Sequence, residues 1–293
     1  MEITVEHETR YRYPRPVSES YTIVHLQPRT TLAQYCTRFE LDVVPDVAVF
    51  SYHDRFGNDV QHFSIVPEHQ ELRIVARSHV VTLGRGNPEP PNGVTAAWIE
   101  ADPRTPELWD MRHASTYVDV EAARAFAAEI DAPADDVAAF FLAAGRHIHR
   151  TFTYRQGTTT VRTPVAEVIA AREGVCQDFA HVLIATARAR GIPARYASGY
   201  IYSGGSNVLG AEASHAWAEA YLPPFGWVGF DPTNDRLVDD TFVLVALGRD
   251  YGDVSPTRGV YRGAAQGEMV VSVAVDARTE DLEQQQQEQQ QQQ

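Results

Sequence analysis

Ser214-His215-Ala216-Trp217-Ala218-Glu219-Ala220-Tyr221-Leu222-Pro223-Pro224-Phe225-Gly226-Trp227-Val228-Gly229-Phe230-Asp231-Pro232 sets two strand-like runs on either side of a prolyl turn. Period two puts His215, Trp217, Glu219 and Tyr221 on one face of the first run, and Trp227, Gly229 and Asp231 on one face of the second. A three-residue connection pairs Leu222 with Gly226, sets Trp217 opposite Asp231 and leaves His215 as the diagonal neighbour of that aspartate. A five-residue connection would set His215 directly opposite Asp231. An even connection would put the two on opposite faces.

Upstream the period changes. Pro133 to Phe152 carries Val137, Phe140, Phe141, Ala144 and Ile148 at the spacing of one helical face. Thr163-Pro164 reads as a cap followed by a proline at the first helical position, with Gly174 as the stop. A third helix is expected from Cys176 to about Arg190, with Phe179, Ala180, Leu183, Ile184 and Ala187 on the stripe of the cysteine and Gly191-Ile192-Pro193 ending it. Ala194 to Tyr202 reads as one more strand. Helices followed by antiparallel strands make an α+β core.

Residues 1–83 form short alternating runs such as Phe39-Glu40-Leu41-Asp42-Val43-Val44, broken by turn signals such as Arg55-Phe56-Gly57-Asn58, and read as an all-β module. Gly84 to Gly93 holds three prolines and three glycines, so residues 84–118 are expected to be a linker and connecting segment. Residues 119–276 are taken as the core. Residues 277–293 end in a glutamine run too polar to offset its ordering entropy, and are expected to be disordered.

The chain has 293 residues, 44% hydrophobic, as a core-forming protein does. Its net charge of −14 argues against nucleic acid and against an anionic membrane surface as partners. The N-terminus lacks a basic region followed by an apolar stretch, and no window reaches the ~18 apolar residues of a span, so a cytoplasmic location is expected. Only Cys36 and Cys176 occur, so neither a disulfide framework nor a paired-cysteine metal knuckle is available. His147 and His149, two apart on a helix, face different ways, so no metal and no cofactor is expected. All 25 cationic residues are arginine.

A thiol becomes a strong nucleophile when a helix N-terminus or an imidazolium lowers its pKa from ~8.5. Cys176 opens a predicted helix, whose first-turn N–H groups also supply one donor to an oxyanion. His215 is then the candidate base and Asp231 the residue that orients it. Tyr154 is the candidate second oxyanion donor, with Gln177 in support on the first turn. Asp178, beside it, suits the helix dipole or a pair with Arg195. Trp217 and Trp227 are candidates to wall a substrate slot.

GVCQDFAH (Gly174 to His181), RARGIPARYASGY (Arg188 to Tyr200), SHAWAEAYLPPFGWVGFDPTN (Ser214 to Asn234) and GRDYGDVSP (Gly248 to Pro256) resemble, in order, the blocks of the bacterial transglutaminase-like family. HETRYRYPRPV (His7 to Val17), LQPR (Leu26 to Arg29) and RFGND (Arg55 to Asp59) resemble the β-rich module often joined to that core. The resemblance implies a papain-like, transglutaminase-like core, with the nucleophile at a helix N-terminus packed on an antiparallel sheet. It places the nucleophile, base and acid of the family on Cys176, His215 and Asp231. Asp250, Tyr251 and Asp253 fall in a block read as supporting.

The expected activity is cleavage of a peptide or protein amide through a thioester. Transfer of the acyl group to an amine, as in a protein-glutamine transglutaminase, is the alternative within the same chemistry. A non-catalytic protein-binding scaffold is the alternative outside it. The pattern fixes neither the acyl donor nor an oligomeric state.

Overall fold

A computed structural model describes residues 1–84, 93–204, 208–210, 213–264 and 267–278. Most of the glycine- and proline-rich stretch and all of the glutamine run lie outside the described residues.

The first module contains β1 (Glu2–Val24), β2 (Gln34–Val44), β3 (Phe50–His53), β4 (Asp59–Ile65) and β5 (His69–Thr82), ordered β2-β5-β1-β4-β3. β1 alternates buried and exposed residues over its first half, as a strand with one face on a core must. Next come α1 (Ala96–Ala101), a 3₁₀ turn (Thr105–Met111), α2 (Arg124–Ala127), α3 (Val137–Thr151), β6 (Thr153–Tyr154), α4 (Val165–Ala171), β7 (Glu173–Gly174) and α5 (Cys176–Ala189). The chain then builds β8 (Ala194–Ile201), β9 (His215–Leu222), β10 (Gly226–Asp231), β11 (Arg236–Leu237) and β12 (Phe242–Gly248). These five form a second antiparallel sheet in the order β11-β10-β9-β8-β12. α6 (Tyr251–Val254), β13 (Thr257–Arg262) and β14 (Glu268–Arg278) complete the fold. Among the described residues, no helix is long and apolar enough to cross a membrane.

α5 is the buried centre of the core, with Phe179, Leu183, Ile184 and Ala187 fully enclosed. It lies on the small face of β9, where Ala216, Ala218 and Ala220 join the same apolar cluster. Alanine at alternate positions lets the helix approach the sheet closely. At the far end, buried Arg188 donates to the carbonyls of Ala194 (2.8 Å), His113 (2.8 Å) and Arg249 (2.7 Å), pinning the helix to three separate segments.

Several boundaries differ from the expectations. α3 starts at Val137 because the Asp136 carboxylate accepts from the Ala138 (3.1 Å) and Ala139 (3.0 Å) N–H groups. α4 ends before Arg172, which takes a left-handed conformation (φ 54°), leaving Glu173 and Gly174 to pair with Thr153 and Tyr154. From Val94 onward the expected connecting segment is core material: Val94, Ile99 and Val118 are buried in the cluster that holds α5. The expected limit at 276 also does not mark the end of the layer built on the second sheet. After α6 the chain returns to the first sheet, where β13 pairs with the second half of β1 and β14 with its first half. The long β1 needs partners on both edges along its length, and these strands supply them.

The two layers are joined by polar contacts. The Gln34 side chain donates to the Leu244 carbonyl (2.7 Å) and accepts from its N–H (2.8 Å). Asn58 does the same to Leu247 at 2.8 Å in each direction. Both leucines lie on β12, the edge strand of the second sheet, so side-chain amides stand where another strand would pair.

Candidate active site

Glu173 and Gly174 run beside Thr153 and Tyr154 as a short parallel pair and lead directly into α5. Asp178, at the third position of the helix, accepts from the Val175 N–H (2.8 Å) and the Thr159 hydroxyl (2.6 Å). Valine has no side-chain acceptor, so only this half of a capping box exists. A Cβ on Gly174 would lie 2.7 Å from an Asp178 oxygen, so the bend into the helix requires glycine. Burial raises the pKa of Asp178, and those two hydrogen bonds oppose the rise. Arg195 is not its partner: that guanidinium bonds Glu219 at 2.7 Å and covers the Trp227 ring at 3.9 Å.

Cys176 thus sits at the start of a long buried helix, 9% exposed, at the wall of a cleft of about 410 Å³. His215 and Tyr154 line the same cleft. β9 and β10 pair as a three-residue connection requires, Leu222 with Gly226 through Ala218 with Phe230. This register brings His215 Nε2 to 2.7 Å from Asp231 Oδ2, with both side chains fully enclosed. The carboxylate also accepts from the Thr233 N–H (2.9 Å) and from Asn234 Nδ2 (2.8 Å).

Burial works against a charge on His215, but the Asp231 carboxylate outweighs it. With a further contribution from Cys176, the imidazole pKa is pushed up to about 10. Burial likewise works against the Asp231 charge, and the attraction of His215 holds that pKa below the ordinary carboxylate value. The Asp231 carboxylate thus favours the imidazolium form of the ring over the neutral one. With Nε2 committed to Asp231, the buried Nδ1 has no partner at hydrogen-bond geometry among the described residues. One ring nitrogen is thus held and the other is not.

Of the other sequence candidates, Tyr154 lies on the cleft wall, and burial and then Cys176 raise the pKa of its hydroxyl, keeping it a donor. Gln177 is half-buried at the cleft, its amide 3.4 Å from the Val161 carbonyl. Trp217 and Trp227 do not line this cleft. They border another of about 460 Å³, toward the first module, because Trp217 packs edge-on against Phe242 and Trp227 lies under Arg195. Asp250 accepts from the Tyr117 (2.9 Å) and Gly252 (2.8 Å) N–H groups, and Asp253 bonds Arg249 at 2.8 Å, while Tyr251 reaches the cleft wall. Sequence reasoning missed Tyr196, Ser198 and Gly210 in the wall, and Asn234 on the carboxylate. Only Asn234 carried a signal, as a polar residue closing the turn after Asp231.

Residues 124–232 match the family model for the transglutaminase-like superfamily, and residues 3–81 match that for the bacterial transglutaminase-like N-terminal region. An uncharacterised protein of Mycobacterium bovis is 36% identical, covering 93% of this chain and 91% of its own. The chain belongs to the transglutaminase-like superfamily. A second uncharacterised relative, from Mycobacterium leprae, is 30% identical over 92% of this chain and 97% of its own. The crystal structure of a candidate cysteine protease from Cytophaga hutchinsonii shares the fold, with a TM-score of 0.76 at 24% identity, over 95% of this chain and 92% of that one. Transglutaminase-like proteins are typically cysteine enzymes, and this member keeps a cysteine at the start of its central helix beside a histidine–aspartate pair.

Proposed function

We propose that the protein is a cysteine-nucleophile acyl-transfer enzyme that cleaves an amide bond of a peptide or protein through a thioester. The observation that carries this reading is the division of His215: Nε2 is bound to Asp231, while the buried Nδ1 makes no bond at hydrogen-bond geometry and Cys176 is the neighbour that, after Asp231, raises the ring's pKa. Nδ1 takes the thiol proton, and Sγ attacks the carbonyl carbon. The Cys176 N–H on the first turn of α5 and the Tyr154 hydroxyl meet the oxyanion. Collapse breaks the C–N bond as the amine leaves with the proton from Nδ1. Water, deprotonated by the same nitrogen, then adds to the thioester, releasing the acid and restoring the thiol. Asp231 stays charged throughout, holding the ring and stabilising the imidazolium.

Alkylation by iodoacetamide tests the nucleophile without a substrate. Cys36 serves as internal control, because burial raises its pKa and its thiol donates to the Arg38 carbonyl. Across about pH 5 to 9, Cys176 is expected to react faster than Cys36 at the acid end and to lose that advantage in His215→Ala. Equal reactivity of the two cysteines, indifferent to the substitution, would remove the enzyme reading and leave the scaffold. Adding a primary amine to a turnover assay then separates hydrolysis from transfer to the amine.

A further inference from the structure

Beyond Asp231 the chain turns through Pro232 and Thr233, whose carbonyl is held at 3.0 Å by His149 Nδ1 on α3. Asn234 is the next residue, and its single amide makes three bonds. Nδ2 donates to Asp231 Oδ2 (2.8 Å) and to the Leu209 carbonyl (3.2 Å), and Oδ1 accepts from the Leu209 N–H (3.0 Å). Leu209 precedes Gly210, which has φ 82° and lies so close over the imidazole that a Cβ there would be 2.7 Å from His215 Nδ1. The amide therefore connects the carboxylate that holds Nε2 with the backbone that covers Nδ1.

We propose that Asn234 is a positioning residue, fixing the rotation of the Asp231 carboxylate and, through Leu209, the seat of Gly210 on the free nitrogen of His215. The terminal torsion of an aspartate is soft, so its orientation is set by the donors around it. Oδ2 has two donors, His215 and Asn234, and loss of the second leaves only the Thr233 N–H on Oδ1 to resist the carboxylate's turning away from the ring. Only a side chain that both donates and accepts can serve Asp231 and both backbone groups of Leu209 together. The consequence for catalysis rests on the acyl-transfer reading; the effect on His215 itself does not.

The test is a ¹⁵N-histidine NMR titration of wild type, Asn234→Ala and Asn234→Asp, with the His215 signals assigned by their loss in His215→Ala. In Asn234→Ala the His215 midpoint is expected to fall by about one unit or more as its contact with the carboxylate loosens. In Asn234→Asp, which keeps the shape and the acceptor for Leu209 N–H, the donor to Asp231 is lost as well, but the second carboxylate favours the charged imidazole, so the midpoint stays at or above that of wild type. A merely structural role would lower the melting temperature and leave both midpoints in place, and that result overturns the proposal. An equal fall in both variants overturns it too, since it marks general loosening. Alkylation of Cys176, run in parallel, separates the two claims. An inert wild-type Cys176 with shifted midpoints removes the enzyme reading and keeps the positioning role, while a reactive Cys176 with fixed midpoints does the reverse.

Discussion

Asn58→Ala should be one of the most damaging single changes outside the core, although Asn58 belongs to a turn of the first module. The side chain is fully buried and makes four hydrogen bonds: to both backbone groups of Leu247, to Asp54 and from Arg29. Alanine strands the Leu247 N–H and carbonyl, and an orphaned buried polar group costs about 1–3 kcal/mol. Two such groups give about 2–6 kcal/mol, and water entering from the nearby surface brings the expected loss to about 3 kcal/mol. Asn58→Asp should be worse, since a carboxylate oxygen would face both the Leu247 carbonyl and the Asp54 carboxylate. Urea unfolding followed by tryptophan fluorescence and by far-ultraviolet circular dichroism measures the loss. Coincident transitions by the two probes would show that module and core unfold together. A loss below about 1 kcal/mol would refute the claim that Asn58 caps the β12 edge as a strand would.

Burial pushes the His7 pKa down to about 4, and the neutral ring bonds the Tyr200 (2.9 Å) and Thr9 (3.1 Å) hydroxyls. A depressed value gives stability that is present above the ordinary 6.5 and lost as pH falls toward 4, about 2 kcal/mol by pH 5; His7→Gln should flatten that part of the stability–pH curve, and an unchanged slope would refute it. The His215–Asp231 pair has the opposite sign on its histidine: the raised value gives stability that is complete below 6.5 and lost as pH rises toward 10, while the lowered Asp231 value gives stability that is complete above 3.8 and lost in stronger acid. The difference in stability between wild type and Asp231→Asn, measured by thermal unfolding, should therefore be greatest between pH 3.8 and 6.5. Tyr154→Phe should leave Cys176 alkylation unchanged, because that reaction forms no oxyanion, and should lower turnover of a peptide anilide by about 10²-fold. Equal turnover would exclude the phenol as a donor.

Short-range periodicity made part of the fold legible in the sequence. The alternation in β9, the turn of three residues and the cysteine at the start of α5 were readable because each is fixed within a few residues of its neighbours. The same logic failed for Trp217 and Trp227. Parity correctly puts His215 and Trp217 on one face, but it does not say what covers each position along the strand. His215 stands at the first residue of β9, where the sheet ends against the cleft. Trp217, two residues on, is already enclosed in a cluster with Ala197, Ile201 and Phe242. The return of β13 and β14 to β1 was illegible for another reason: pairing across more than 230 residues leaves no local mark, and the strands carry ordinary alternating text.

The site itself shows where local pattern stops being sufficient. His215 and Asp231 are brought together by register alone, but register delivers proximity, not orientation. The orientation comes from Thr233 and Asn234 on the carboxylate, from His149 on the turn and from Gly210 over the ring, and these lie on three segments. Each bond is individually modest, and a buried pair of opposite charges gains from its partner only if the remaining lone pairs are also satisfied. Asp231 meets that condition, with donors on both oxygens, whereas His215 meets it on Nε2 and not on Nδ1. An unmet hydrogen-bonding group in a buried cluster is costly to keep, and the place of His215 on the cleft that Cys176 also lines is what the proposed proton transfer draws on.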